Sequence, residues 1–119
     1  MEYRIEKKNP PIALIELNGR LIGDYQVVDI TDDINELIDE GFVYLIFELS
    51  HLEFINSTGL NFFLKTLTKV RRQDGEVVLT NLNELLNTLM VTTKLNSFFV
   101  IEKSGEDPVA YFKEKGIIL

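Results

Sequence analysis

His51 and Ser57 lie six residues apart, and an imidazole near a hydroxyl is the raw material of nucleophilic catalysis. The pair does not amount to a hydrolase. His51 is the sole histidine, no Gly-x-Ser-x-Gly elbow surrounds Ser57, and a lone loop histidine is ordinarily solvated. Enzymatic activity is therefore not expected. Ser57 stands instead within Asn56-Ser57-Thr58-Gly59, residue types that satisfy the unpaired N–H groups of a helix start. Either Asn56 or Ser57 is read as the N-cap.

Other chemistries fail on spacing. Asn56-Ser57-Thr58 fits a glycosylation acceptor pattern, but the first residues, Met1 to Lys8, lack the apolar stretch of a secretory signal. Asp29, Asp32, Asp33 and Glu36 lack the spacing and the bending glycine of a calcium loop, and read as a solvated helix face. The stretch from Gly19 to Gly23 is too short for a nucleotide-cradling loop and has no Lys-Ser/Thr after it. No metal or cofactor is expected.

Composition narrows the classes further. The chain has no cysteine, so neither disulfides nor thiolate ligands are available. Its 19 acids against 12 bases give a net charge of -7, which repels a phosphate backbone and disfavours direct nucleic-acid binding. No window approaches the ~18 apolar residues of a membrane span. A soluble, cytoplasmic protein is expected, and 119 residues with 45% hydrophobic content suit one domain spanning 1–119.

The elements that must position Ser57 follow from periodicity. Tyr3, Ile5 and Lys7 alternate with Glu2, Arg4 and Glu6, as in an edge strand. Asn9-Pro10-Pro11 ends it, and residues 12–17 form a buried strand, antiparallel to the first. Over 24–40, Val27, Ile30, Ile34, Leu37 and Ile38 recur at helical spacing, and Gly41 stops that helix. Residues 42–49 are nearly continuous apolar, a central strand covered on both faces. A loop then leads into a second helix from about Asn56 to Arg72, with Leu60, Phe63, Leu64, Leu67 and Val70 inward. A strand over 76–80, a helix over 82–91 with Leu85, Leu86, Leu89 and Met90 inward, and a strand over 98–101 complete the alternation. A fourth, short helix is expected near Asp107-Pro108. The expected fold is α/β: a mixed, mostly parallel sheet of about five strands opened by an antiparallel hairpin, with about four helices.

Asn56-Ser57-Thr58-Gly59-Leu60 resembles the Asp-Ser-(Ser/Thr)-Gly-Leu signature of the anti-sigma-factor antagonists, the STAS domains. Leu17-Asn18-Gly19-Arg20-Leu21 is similar to that family's Leu-x-Gly-x-Leu turn, and Phe47-Glu48-Leu49-Ser50 to its Leu-Asp-Leu-Ser strand end. Leu89-Met90-Val91-Thr92-Thr93-Lys94-Leu95 is similar to the segment before the last strand. The resemblance implies that Ser57 is phosphorylated by a partner that is both serine kinase and anti-sigma factor, the unmodified form holding the partner and the phosphorylated form releasing it. It also implies a partner surface around Asn56, Thr58 and Gly59.

With the inward stripe so fixed, Phe62 points nearly opposite to it, beside Asn61 and Lys65, and is a candidate anchor for the partner. Asn56 keeps the capping carbonyl of the family's usual Asp and lacks its charge. On that ground an alternative reading is a non-phosphorylated STAS scaffold or sensory module in a signalling assembly. The sequence leaves the oligomeric state open.

Overall fold

A computed structural model describes residues 1–102 and Phe112 of the chain. Among these residues the strands are β1 (Glu2–Lys7), β2 (Ile12–Leu21), β3 (Tyr44–Ile55), β4 (Glu76–Thr80) and β5 (Val100–Glu102). The helices are α1 (Val28–Asp39), α2 (Ser57–Arg71) and α3 (Glu84–Thr92), with 3-10 turns at Asp24–Gln26 and Leu95–Ser97. The expected fourth helix lies outside the described residues.

The strands form one sheet in the order β1-β2-β3-β4-β5. The β1–β2 pair is antiparallel and every later pair is parallel, as the alternation of strand and helix predicts. Each parallel step moves to the next strand in the same direction, so right-handed crossovers put every connecting helix on one face. The main core has this composition. Ala13, Ile15 and Leu17 of β2, with Leu45, Phe47 and Leu49 of β3, pack against Ile30, Ile34 and Leu37 of α1 and against α2 and α3. The opposite face needs other cover, and there Ile12, Ile46 and Val78 pack with Phe112.

The central strand is longer than expected. Residues 50–55, expected as loop, continue β3 and pair with residues 18–21 of β2. Register shifts between Glu16 and Asn18 and between Gly19 and Arg20 mark bulges, each of which bends the strand and increases its twist. Because β4 reaches only Glu48, β2 and β3 run on together past the end of their neighbours. Asn83 partly fills the gap on the β4 side: its Nδ2 donates to the carbonyls of Leu52 and Glu53, 3.2 Å each. Its Oδ1 accepts from Leu86 N at 2.8 Å and caps α3.

One inward assignment and one strand start are corrected. Leu85 is 54% exposed, because capping at Asn83 turns Leu86 and Met90 to the sheet. Phe98, expected to open the last strand, lies before it and is 52% exposed, since a 3-10 turn intervenes and β5 begins at Val100.

Candidate functional site

The ends of β2 and β3 meet the start of α2, and one side chain joins them. Asn56 is the N-cap: its Oδ1 accepts from Thr58 N at 3.0 Å and Gly59 N at 3.4 Å, satisfying two of the donors that a helix start leaves open. Its Nδ2 donates to Ile22 O at 2.8 Å, and its backbone N–H to Leu21 O at 3.3 Å. The amide therefore fastens the segment after β2 to the tip of the helix.

Gly59 sets how close the helix comes. A Cβ there would stand 2.8 Å from Ile55 Cβ and 3.2 Å from Leu21 O, so a side chain would force α2 away from the strand ends. The next residue, Leu60, begins the regular ladder with its N–H on Asn56 O at 3.0 Å.

Ser57 is the first residue of α2 and is exposed. Asn56 performs the capping, and no hydrogen bond among the described residues engages the Ser57 hydroxyl. The first turn holds no acid, while Lys69 and Arg71 occupy the last turn, so charged side chains match the helix dipole only at its far end. The tip beside Ser57 keeps its electropositive character.

Phe62 was expected to face outward, and the structure corrects this. It is 5% exposed and its ring lies edge-on to Phe47 and Phe63, at centroid distances of 6.0 and 5.4 Å. The buried side of α2 runs through Gly59, Phe62, Phe63, Thr66, Leu67 and Val70, whereas Leu60 and Leu64 are only partly buried. The helix is rotated because Gly59 is the residue that touches the strands. Thr66 joins this side by returning its Oγ1 hydrogen bond to Phe62 O at 2.9 Å. Asn61 and Lys65 face solvent as expected.

Next to the helix tip the chain exposes apolar groups that the periodicity did not single out. Ile22 is 41% and Tyr25 79% exposed. Gln26 fixes their backbone: its Oε1 accepts from Ile22 N and Gly23 N at 2.8 and 2.9 Å, and its Nε2 donates to Arg20 O at 2.9 Å. The Tyr25 ring lies over Gly23, where a Cβ would come within 2.4 Å of Tyr25 Cε1. Glycine thereby leaves room for an outward aromatic on a firm backbone. A cleft of about 170 Å³ separates this turn from α2, with Asp24, Thr58, Asn61 and Lys65 on its walls.

His51 is not drawn into the site. Its Nδ1 faces Ser50 Oγ at 3.3 Å, and it lies opposite Asn18 on the exposed run of β3. Among the described residues, no group of three or more His, Cys, Asp or Glu side chains is arranged to hold a metal ion. No helix of the described residues is long and apolar enough to cross a membrane.

Comparison with known proteins bears on the family and the fold. Residues 3–107 match the STAS domain family model. No curated protein matches the sequence. Among solved structures, the chain is similar to a Thermotoga maritima protein proposed to be an anti-sigma factor antagonist, with a TM-score of 0.76 and 18% identity over 95% of this chain and 92% of that one. It is similar to the anti-sigma factor antagonist SpoIIAA in its unphosphorylated form, with a TM-score of 0.71 and 18% identity over 99% and 100% of the two chains. The phosphorylated form of SpoIIAA, a Bacillus cell fate determinant, gives 0.74 and 16% over 96% and 99%. At these identities the likeness establishes the fold.

Proposed function

The chain belongs to the STAS domain family, and from that membership we propose that it is an anti-sigma factor antagonist, a regulator of transcription that works by binding and not by catalysis. Its partner is a cytoplasmic anti-sigma factor that is also a serine kinase, and Ser57 is the residue modified. The observation that carries the reading is the Ser57 hydroxyl: exposed, outside every hydrogen bond among the described residues, and at the tip of a helix that another residue caps.

The chemistry of the switch follows from that position. A phosphoryl group brings about -1.5 to -2 charge and three acceptor oxygens. The helix dipole favours an anion here, so the fold tolerates the group. Thr58 N and Gly59 N are already bonded to Asn56, so the phosphate projects outward instead of folding back onto the helix. There it meets the docking face made by Asn61, Lys65, Ile22 and Tyr25, with Ile22 and Tyr25 supplying the apolar anchors in place of Phe62. A partner that buries this face must desolvate the new charge, and binding is lost without a change of fold.

A second reading has one observation in its favour. Asn56 uses both ends of its amide for structure, which suits a rigid scaffold with no phosphorylation cycle. Incubation with ATP and a candidate kinase-type anti-sigma factor, followed by intact-mass measurement, separates the two. One phosphoryl group, absent from Ser57→Ala, supports the antagonist cycle; a stable complex in which Ser57 stays unmodified supports the scaffold.

A further inference from the structure

The strand β1 is an edge of the sheet among the described residues, six residues long, without proline or a bulge. Lys8 N donates to Ile12 O at 3.0 Å, so the pair Lys8/Ile12 is a hydrogen-bonded one. Antiparallel ladders alternate such pairs, which turns the backbone groups of Glu6, Arg4 and Glu2 toward β2. The N–H and C=O groups of Tyr3, Ile5 and Lys7 consequently point off the sheet.

Edge strands with charged side chains ordinarily discourage pairing, but the pattern here discriminates between registers. If a second β1 runs antiparallel with Ile5 opposite Ile5, the outward backbone groups of Tyr3, Ile5 and Lys7 meet those of Lys7, Ile5 and Tyr3. On the face away from the helices, Glu2 then lies opposite Lys8, and Arg4 opposite Glu6. Every charged pair on that face is complementary. Moving the second strand to the next register with the same faces matched sets Arg4 against Arg4 and Glu2 against Glu6; moving it the other way sets Glu6 against Glu6 and Arg4 against Lys8. Like charges directly opposite destabilise a strand pair.

On the helix side, Ile5 is half-buried and forms, with Leu37, the floor of an open groove of about 450 Å³ whose walls carry Lys7, Asp33, Glu36 and Glu40. The Ile5 of a second copy would adjoin that apolar floor. Lys7 of the second copy would lie beside Tyr3, whose hydroxyl donates to Asp33 at 2.6 Å, and would bring a cation to an acidic wall.

We propose that β1 is a self-association surface: two copies of this chain join β1 to β1, antiparallel about a two-fold axis at Ile5, and make one continuous ten-stranded sheet from two sheets of five. A charge of -7 on each copy opposes association, so the dimer is sought at about 0.15 M salt, where the Debye length is short.

Sedimentation over a concentration series with charge-reversed variants tests this. Arg4→Glu places Glu opposite Glu6, and Glu6→Arg places Arg opposite Arg4, so each alone raises the dissociation constant about tenfold or more. An equimolar mixture of the two variants restores every pair and dimerises like the wild type, as does the double variant Arg4→Glu/Glu6→Arg. Because the chain has no cysteine, Ile5→Cys adds a second readout: the two thiols of a dimer, on residues about 5.5 Å apart at Cα, oxidise to a cross-linked dimer. Monomer at every concentration overturns the proposal, and so does a dimer that neither single charge reversal weakens.

Discussion

Asn56 Nδ2 donates to Ile22 O at 2.8 Å while Asn56 Oδ1 caps the helix that begins with Ser57. The two halves of one amide thus hold the exposed segment Ile22 to Tyr25 and the start of α2 at Ser57 in a fixed relation. A carboxylate could do only one of these jobs. It accepts from the helix N–H groups as well as an amide does and adds a favourable charge to the dipole, but it has no hydrogen to offer the Ile22 carbonyl.

Asn56→Asp therefore measures the strut. The gain at the helix tip is about 0.3–1 kcal/mol. Against it stand the lost hydrogen bond and two oxygens facing each other, about 1–3 kcal/mol. A net loss of about 1 kcal/mol is expected in urea unfolding. Asn56→Ala, which gives up both the cap and the strut, should lose about 2 kcal/mol.

Phe62→Ala distinguishes a core residue from a surface anchor. With its ring packed on Phe47 and Phe63, truncation should cost about 3–5 kcal/mol, and Phe62→Leu, which refills most of the volume, about 1.5 kcal/mol or less. Equal denaturation midpoints for wild type and Phe62→Ala would return Phe62 to the surface.

The sequence made the sheet and the tip of α2 readable because both depend on strong local signals: continuous apolar runs for β3 and β4, and Asn56 followed by Ser57 at a helix start. The rotation of α2 was hidden because its buried side contains Gly59 and Thr66, which hydropathy does not count. Leu60 and Leu64 drew the stripe toward themselves instead. Residues 50–55 of β3 read as loop because Ser50, His51 and Glu53 interrupt the apolar run, and only pairing with β2 makes them strand. Tyr25 was silent for a similar reason, since nothing local announces an outward aromatic; Gly23 and Gln26 fix it through contacts that only the folded chain makes.

Tyr25→Ala should act on binding alone. The side chain is 79% exposed, so stability should stay within about 0.5 kcal/mol of wild type. An aromatic anchor at the centre of a docking face contributes about 2 kcal/mol or more, so affinity for the proposed anti-sigma partner should fall by about 30-fold. Titration calorimetry with wild type and Tyr25→Ala reads this, and equal affinities would remove Tyr25 from the docking face.

Tyr3 ties the edge strand to α1, and its titration reports that tie. The hydrogen bond to Asp33 comes first among the causes that push its pKa up to about 12, followed by burial and by the charges of Asp33, Asp29 and Asp32. The phenol of an unfolded chain titrates near about 10. Above that pH the unfolded state gives up a proton that the folded state keeps, so stability falls as pH rises. The contribution of Tyr3 is complete below about pH 10 and disappears as pH rises through about 12. Urea unfolding across this range should show a constant stability difference between wild type and Tyr3→Phe at neutral pH, shrinking over that alkaline window. The Tyr3 part of the ultraviolet titration is the difference between wild type and Tyr3→Phe, because the chain has four tyrosines; Asp33→Asn removes the charge that accepts the hydrogen bond and should bring that part back toward its ordinary value. A Tyr3 part that already titrates there in the wild type would show that the Tyr3–Asp33 bond does not form in solution.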